Sequence, residues 1–135
     1  MSDPSEALQR ALFAILTAAP AVTALIAQRV YDAPPPDAVY PFVEIAAVQM
    51  NEDGADCVDG TEAFIDVHAW SQVTGSIEAK RIAGAVKGAL HEAALDLAPR
   101  HRLVEILWRD TRVSRDPDGL TTHAVITFRA LTETV

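Results

Sequence analysis

AFIDVHAWSQVTGSIEAKRIAGAVKGAL, residues 63 to 90, changes its hydrophobic period within a few positions. Ala63, Ile65, Val67 and Ala69 alternate with Phe64, Asp66, His68 and Trp70, the spacing of a strand with two distinct faces. Ile77, Ile82, Val86, Ala89 and Leu90 then recur at close to three-and-a-half residues, with Lys80, Arg81 and Lys87 off that stripe. This predicts an amphipathic helix over 75–91. A sheet and the helix that covers it are specified together, and no catalytic motif lies between them.

On the N-terminal side, Phe42 to Met50 predicts a first long strand. It is separated from the strand at 61–71 by NEDGADCVDG, whose glycines and acids break the pattern, so the two strands form an antiparallel hairpin with a long loop. On the C-terminal side, 102–113 and 120–131 predict two more strands around the turn Asp116-Pro117-Asp118-Gly119. At the start of the chain, Asp3 as N-cap and Pro4 at the first helical position predict a helix with Leu8, Ala11, Leu12, Ile15 and Leu16 inward. A second short helix follows Pro20, and Val30 and Tyr31 read as a short extended piece. APPPDAVYP, residues 33 to 41, carries four prolines and reads as a stiff connection or arm. The expected fold is α+β, a mainly antiparallel four-stranded sheet with helices packed on one face and a single domain over residues 1–135.

Sorted by parity, Val43, Ile45, Ile65, Val67, Val104, Ile106, Trp108, Ala124, Ile126 and Phe128 make the face the helices cover. The other face takes Phe42, Glu44, Phe64, Asp66, His68, Trp70, Leu103, Glu105, Leu107, Arg109, His123, Val125 and Arg129. Leaving Phe64, Trp70, Leu103 and Leu107 in water would expose more apolar surface than a soluble monomer shows. This face is therefore expected to be covered, partly by the chain and partly by neighbouring subunits.

The 135 residues, half of them hydrophobic and 22% charged, have globular composition and suit one core. Cys57 stands alone, which excludes an intramolecular disulfide and fits a reducing compartment. The start MSDPSEALQR has no secretion-signal pattern, and no apolar run reaches a membrane span; the expectation is a protein that stays in the cell that makes it, with no membrane partner. A net charge of −8 disfavours a dedicated nucleic-acid binder. The charge is uneven: Glu52, Asp53, Asp56, Asp59 and Glu62 cluster without a basic residue, whereas Arg100, Arg102, Arg109, Arg112 and Arg115 crowd residues 100–115. Such segments serve as solvated surface, and opposite patches on one chain also suit head-to-tail contacts between copies.

Chemical constellations are thin. Asp66, His68 and His123 could converge from adjacent strands on a metal, but their spacing matches no metal signature; a hydrogen-bonded His and Asp at an interface fits better. Ser71 and Ser76 lie in no nucleophile elbow, and Cys57 sits among acids that would raise its thiol pKa. The acidic loop lacks calcium-loop alternation, and no glycine-rich phosphate cradle is present. No catalytic, cofactor or metal residue is assigned.

PSEALQRALFAILTA at the start, RVYDAPP followed by YPFVEI, VHAWSQ with EAKRIAGAVKGAL behind it, and RDPDGLTTHAVITFRALTE at the end together resemble a family of short phage-encoded proteins. That family, formerly a domain of unknown function, is similar to the tail completion, or tail terminator, proteins of long-tailed phages and gene transfer agents. The resemblance runs nearly end to end. It implies a non-enzymatic virion protein of the tail-neck region, assembled in the bacterial cytoplasm. Its subunits would form a hexameric ring that caps the tail tube, stops tube growth and meets the head-closure (stopper) protein, with double-stranded DNA passing through without specific binding. Set beside the residues, it gives two expectations: Phe64, Asp66, His68, Trp70, Arg109 and Arg112 at the contact between copies, and Glu52, Asp53, Asp56 and Asp59 lining the channel. The alternatives are another neck component, an adaptor or stopper ring, or a small cytosolic metal-dependent enzyme using Asp66, His68 and His123.

Overall fold

The strand expected at 61–71 is β3, Gly60–Ser71, and it occupies the middle of the sheet. The computed structural model describes residues 3–54 and 59–135. Around β3 stand α1 (Ser5–Ala18), α2 (Pro20–Ile26), β1 (Val30–Tyr31), β2 (Phe42–Glu52), α3 (Ile77–Leu90), β4 (His101–Arg115) and β5 (Thr122–Thr134). The fold is α+β, and the sheet has five strands in the order β1-β2-β3-β5-β4. The four-stranded expectation is corrected by β1, which pairs parallel to β2 through Val30 and Tyr31; every other pairing is antiparallel. Two antiparallel steps, β3 to β5 and β5 to β4, make β3 and β4 parallel. The connection through α3 therefore crosses the helix-covered face, and β5 fills the gap it leaves.

Period-two patterning survives intact where the ladder is regular. Ala63, Ile65, Val67 and Ala69 are fully buried and lie opposite Ala130, Phe128, Ile126 and Ala124, all equally buried. Over them α1 packs Leu8, Leu12 and Leu16, and α3 packs Ile82, Val86 and Leu90. Each such side chain contributes about 1.5–3 kcal/mol by leaving water. Leu95 and Leu97, in the segment after α3, are also buried and close the end of the core. The joint between β3 and α3 is fixed by Ser71, fully buried, whose hydroxyl donates to Glu78 in the first turn of α3 at 2.8 Å and accepts the Val73 N–H.

The ends of the helices follow local chemistry. Asp3 accepts the Ser5 N–H at 2.9 Å, so its carboxylate serves α1 from one position further out than a standard N-cap, and that hydrogen bond holds its pKa below the usual value. Pro20 opens α2 at a position whose N–H would have no intrahelical partner. No single helix among the described residues is long and apolar enough to cross a membrane.

Three bulges correct the sequence-based sorting of faces. A register shift between Ile45 and Ala47 reverses the parity of β2, and Val48 and Met50 pack against the core. Shifts between Leu103 and Glu105 and between Trp108 and Asp110 do the same to β4. Val104, expected inside, is 51% exposed at the first of these bulges, and Leu103, expected outside, packs on the core. An extra residue in one strand moves everything beyond it to the other face.

Candidate functional site

Among the described residues no helix covers the second face of the sheet, and its side chains organise into cross-strand pairs. His68 on β3 and His123 on β5 are in direct contact, Nδ1 to Nε2, at 2.6 Å. One of the two nitrogens carries the hydrogen and the other accepts it. The Trp70 ring stacks on His123 at 3.8 Å with 5° between planes, and its indole N–H donates to Glu44 on β2 at 3.3 Å. Burial first, and then the neighbouring His68, push the His123 pKa down, while Asp116 and Glu44 pull the other way. This corner therefore favours neutral imidazole. Phe42 ends the row, 5% exposed beneath Tyr31, Tyr40 and Trp70. The proline-rich connection thus returns its Tyr40 to the sheet and covers one corner of the open face.

Further along, Asp66 accepts the Thr127 hydroxyl at 2.7 Å, and Glu62 accepts from Arg129 Nε at 2.5 Å. Phe64 lies under Arg109, whose guanidinium stands 5.8 Å from the ring centroid, a cation–π geometry. The expected contact residues Phe64, Asp66, His68 and Trp70 are thus on one continuous, half-buried surface. Arg112 joins them opposite Val125, and Arg109 reaches them from the second bulge of β4. No buried side-chain polar atom among the described residues lacks a partner.

The acidic residues gather at the opposite end of the strands. Both strands run further into the segment than expected: β2 reaches Glu52 and β3 starts at Gly60, leaving 53–59 as the connection. Asp53 N–H donates to Gly60 O at 3.0 Å, and Thr134 N–H to Asp59 O at 2.8 Å. The Asp59 carboxylate also accepts the Thr134 hydroxyl at 3.1 Å, so Asp59 is tied to the end of β5. Glu52 and Asp53 are exposed, and Asp56 lies outside the described residues.

Asp66, His68 and His123 do not converge on a common point: His68 is bonded to His123, and Asp66 is engaged by Thr127. Among the described residues no group of three or more His, Cys, Asp or Glu is arranged to hold a metal ion. A groove of about 520 Å³ between α1 and the outer side of β2, walled by Phe13, Ile45 and Val48 and rimmed by Glu6, Arg10 and Asp32, was not foreseen. The exposed Phe13 was its one signal in the sequence.

Residues 10–133 match the family model described as Tail completion protein gp17. A chain in the solved virion of a native gene transfer agent particle superposes with a TM-score of 0.90 at 26% identity, the alignment covering 98% of this chain and 99% of that one. No curated protein matches.

Proposed function

The chain belongs to the Tail completion protein gp17 family, and from that premise we propose that it is the subunit of a hexameric ring that caps the tail tube and joins it to the head-closure protein. The observation that carries this reading is the uncovered sheet face, where Phe64, Trp70 and Leu107 stand half-buried among Asp66, His68 and Arg129. So much ordered aromatic surface is stabilised when a neighbour covers it. Phe64, Asp66, His68 and Trp70, with Arg109 and Arg112 beside them, form the assembly surface. Its polar pairs fix register, and its rings supply the area removed from water. The similarity to a chain of a gene transfer agent virion supports placing the protein in such a particle or in a phage tail.

Glu52, Asp53, Asp56 and Asp59 fringe the channel. Phosphate affinity comes from released counterions where cations contact the backbone, so an acidic fringe lowers friction on passing duplex DNA. The role is structural, and no reaction step is assigned to the His68–His123 pair.

Electron microscopy of the purified protein with and without tail tubes tests the reading. The expected result is rings seated on tube ends, with tubes that no longer lengthen. A protein that stays monomeric and leaves tube growth unchanged would overturn it.

A further inference from the structure

The two ends of the strands differ in kind. At one end lies the acidic connection, where β2 and β5 finish and β3 and β4 start; at the other, β2 and β5 start and β3 and β4 finish. This second end gathers Val39 on the way into β2, Val73 after β3, Ile77 at the start of α3 and Leu120 before β5. They are four of the seven large apolar side chains exposed among the described residues, and each is more than half exposed, so the exposure is concentrated and not scattered. The segments carrying three of them are bonded together: Gln72 Nε2 donates to Thr121 Oγ1 at 3.3 Å, and Thr122 Oγ1 donates to Gly75 O at 3.2 Å. Val73, Ile77 and Leu120 therefore flank one fixed junction.

Beside that junction is a basic recess of about 250 Å³, lined by Ser76, Lys80, Val113, Ser114, Arg115 and Thr122. Lys80 and Arg115 are exposed and form no salt bridge with a described residue. The acids of the same segments are engaged elsewhere: Glu78 accepts the Ser71 hydroxyl, Asp118 accepts from Leu120 and Thr121, and Asp116 acts on His123. The Ser76 side chain caps no N–H of α3, which leaves its hydroxyl available to donate. Two cations with hydroxyls between them take an anionic group, and the apolar residues beside them take a hydrocarbon surface. A hydrated phosphate backbone gains nothing from the second feature. A protein segment that carries a carboxylate next to apolar side chains uses both.

We infer that this end of the subunit seats on the tail tube, through a tube segment that presents a carboxylate to Lys80 and Arg115 and apolar side chains to Val73, Ile77 and Leu120. This rests on the ring reading above and assigns the end that meets the tube. It sets the strands along the ring axis, with the acidic connection fringing the mouth of the channel on the head-closure side. The order in which the two ends are covered selects the tube. A ring that stops tube growth covers the tube before the head-closure protein joins, and in that interval its outer end faces water. A charged end keeps such a capped tube soluble, whereas an apolar end left outermost would draw capped tubes together.

Photo-crosslinking on tail tubes tests the assignment. Benzoylphenylalanine replaces Leu120, or Val104 at the opposite end; both positions are more than half exposed, so the fold tolerates the change. The expected result is an adduct with the tube protein from position 120 and none from position 104. Lys80→Glu combined with Arg115→Glu should weaken co-sedimentation with tubes by roughly tenfold or more at an unchanged Tm, and added salt should weaken binding of the parent protein. Rings that seat on tubes but cross-link to the tube protein only from position 104, or that bind tubes as well with both charges reversed, would overturn the assignment and leave the ring reading standing. An adduct with duplex DNA at position 120 would make the recess a phosphate site and overturn it as well. A parent protein that never seats on tubes would overturn both readings.

Discussion

Replacing glycine by alanine at two positions gives effects of opposite sign, and the difference isolates the base of the acidic loop. At Gly60 an added Cβ would lie 2.7 Å from the carbonyl oxygen of Asp53 and 3.4 Å from that of Thr132. Both neighbours are backbone, and the Asp53 N–H is bonded to Gly60 O, so relief requires opening the hairpin base or pushing β3 from β5. Loss of one or two buried backbone hydrogen bonds costs about 1–3 kcal/mol each at most, and the stiffer unfolded chain returns about 0.4–1 kcal/mol. The net for Gly60→Ala is about 1–4 kcal/mol destabilising. At Gly84, within α3, nothing lies within 4 Å of the added Cβ, and alanine's better helix propensity stabilises by about 0.5–1 kcal/mol. With an unfolding entropy of about 2.1 cal/mol/K per residue over 135 residues, 1 kcal/mol moves Tm by about 3.5 °C. Thermal unfolding followed by circular dichroism should therefore show Gly60→Ala lower by about 4–14 °C and Gly84→Ala higher by about 2–4 °C. Equal shifts in the two variants, or a Gly60→Ala protein as stable as the parent, would refute the close approach.

Burial of His123, with His68 beside it, predicts a pH dependence: the folded pKa of His123 is depressed, so its contribution is full above the unfolded value of about 6.5 and is lost as pH falls below it. Tm should fall between about pH 7 and pH 5, and His123→Asn should remove part of that slope; an unchanged slope would show that the pair is not the source. Neutralising the loop with Glu52→Gln, Asp53→Asn, Asp56→Asn and Asp59→Asn should leave rings on tubes intact, since exposed ion pairs are worth about 0–1 kcal/mol each, while slowing DNA delivery most at low salt; failure of rings to form would assign the loop to assembly. Phe128→Ala, at a fully buried position, should cost about 3–5 kcal/mol in denaturant titrations, and a cost under about 1 kcal/mol would contradict its place in the core.

Much of this architecture was legible because β3 and β5 keep an uninterrupted period of two. Their buried residues, and the open-face positions of Phe64, Asp66, His68 and Trp70, follow from parity alone. Parity failed on β2 beyond Ile45, where Val48 and Met50 turn to the core, and on β4 at Leu103 and Val104, because a bulge adds a residue without leaving a mark in composition. Val104 looks like any core valine. The pairing of β1 was invisible for another reason: two residues carry no period, and what holds them is the neighbouring β2. The contact of His68 with His123 depends on β5 lying next to β3, which neither strand's own sequence encodes. Charge segregation, by contrast, was readable in the chain.

The central position of β5 also has a kinetic consequence. The hairpins β2–β3 and β4–β5 each close locally, yet the sheet is completed only when Ile65 meets Phe128 and Val67 meets Ile126, pairs about sixty residues apart in the chain. Loop closure of that length must precede the burial that rewards it, which slows folding in proportion to the sequence separation of the contacts. Until then the inner edges of β3 and β5 are unpaired, and the side of each strand that faces the helices is apolar. A newly made chain therefore passes through an interval in which another copy could take β5's place beside β3, and crowding during particle production makes that exchange a competitor of the native fold.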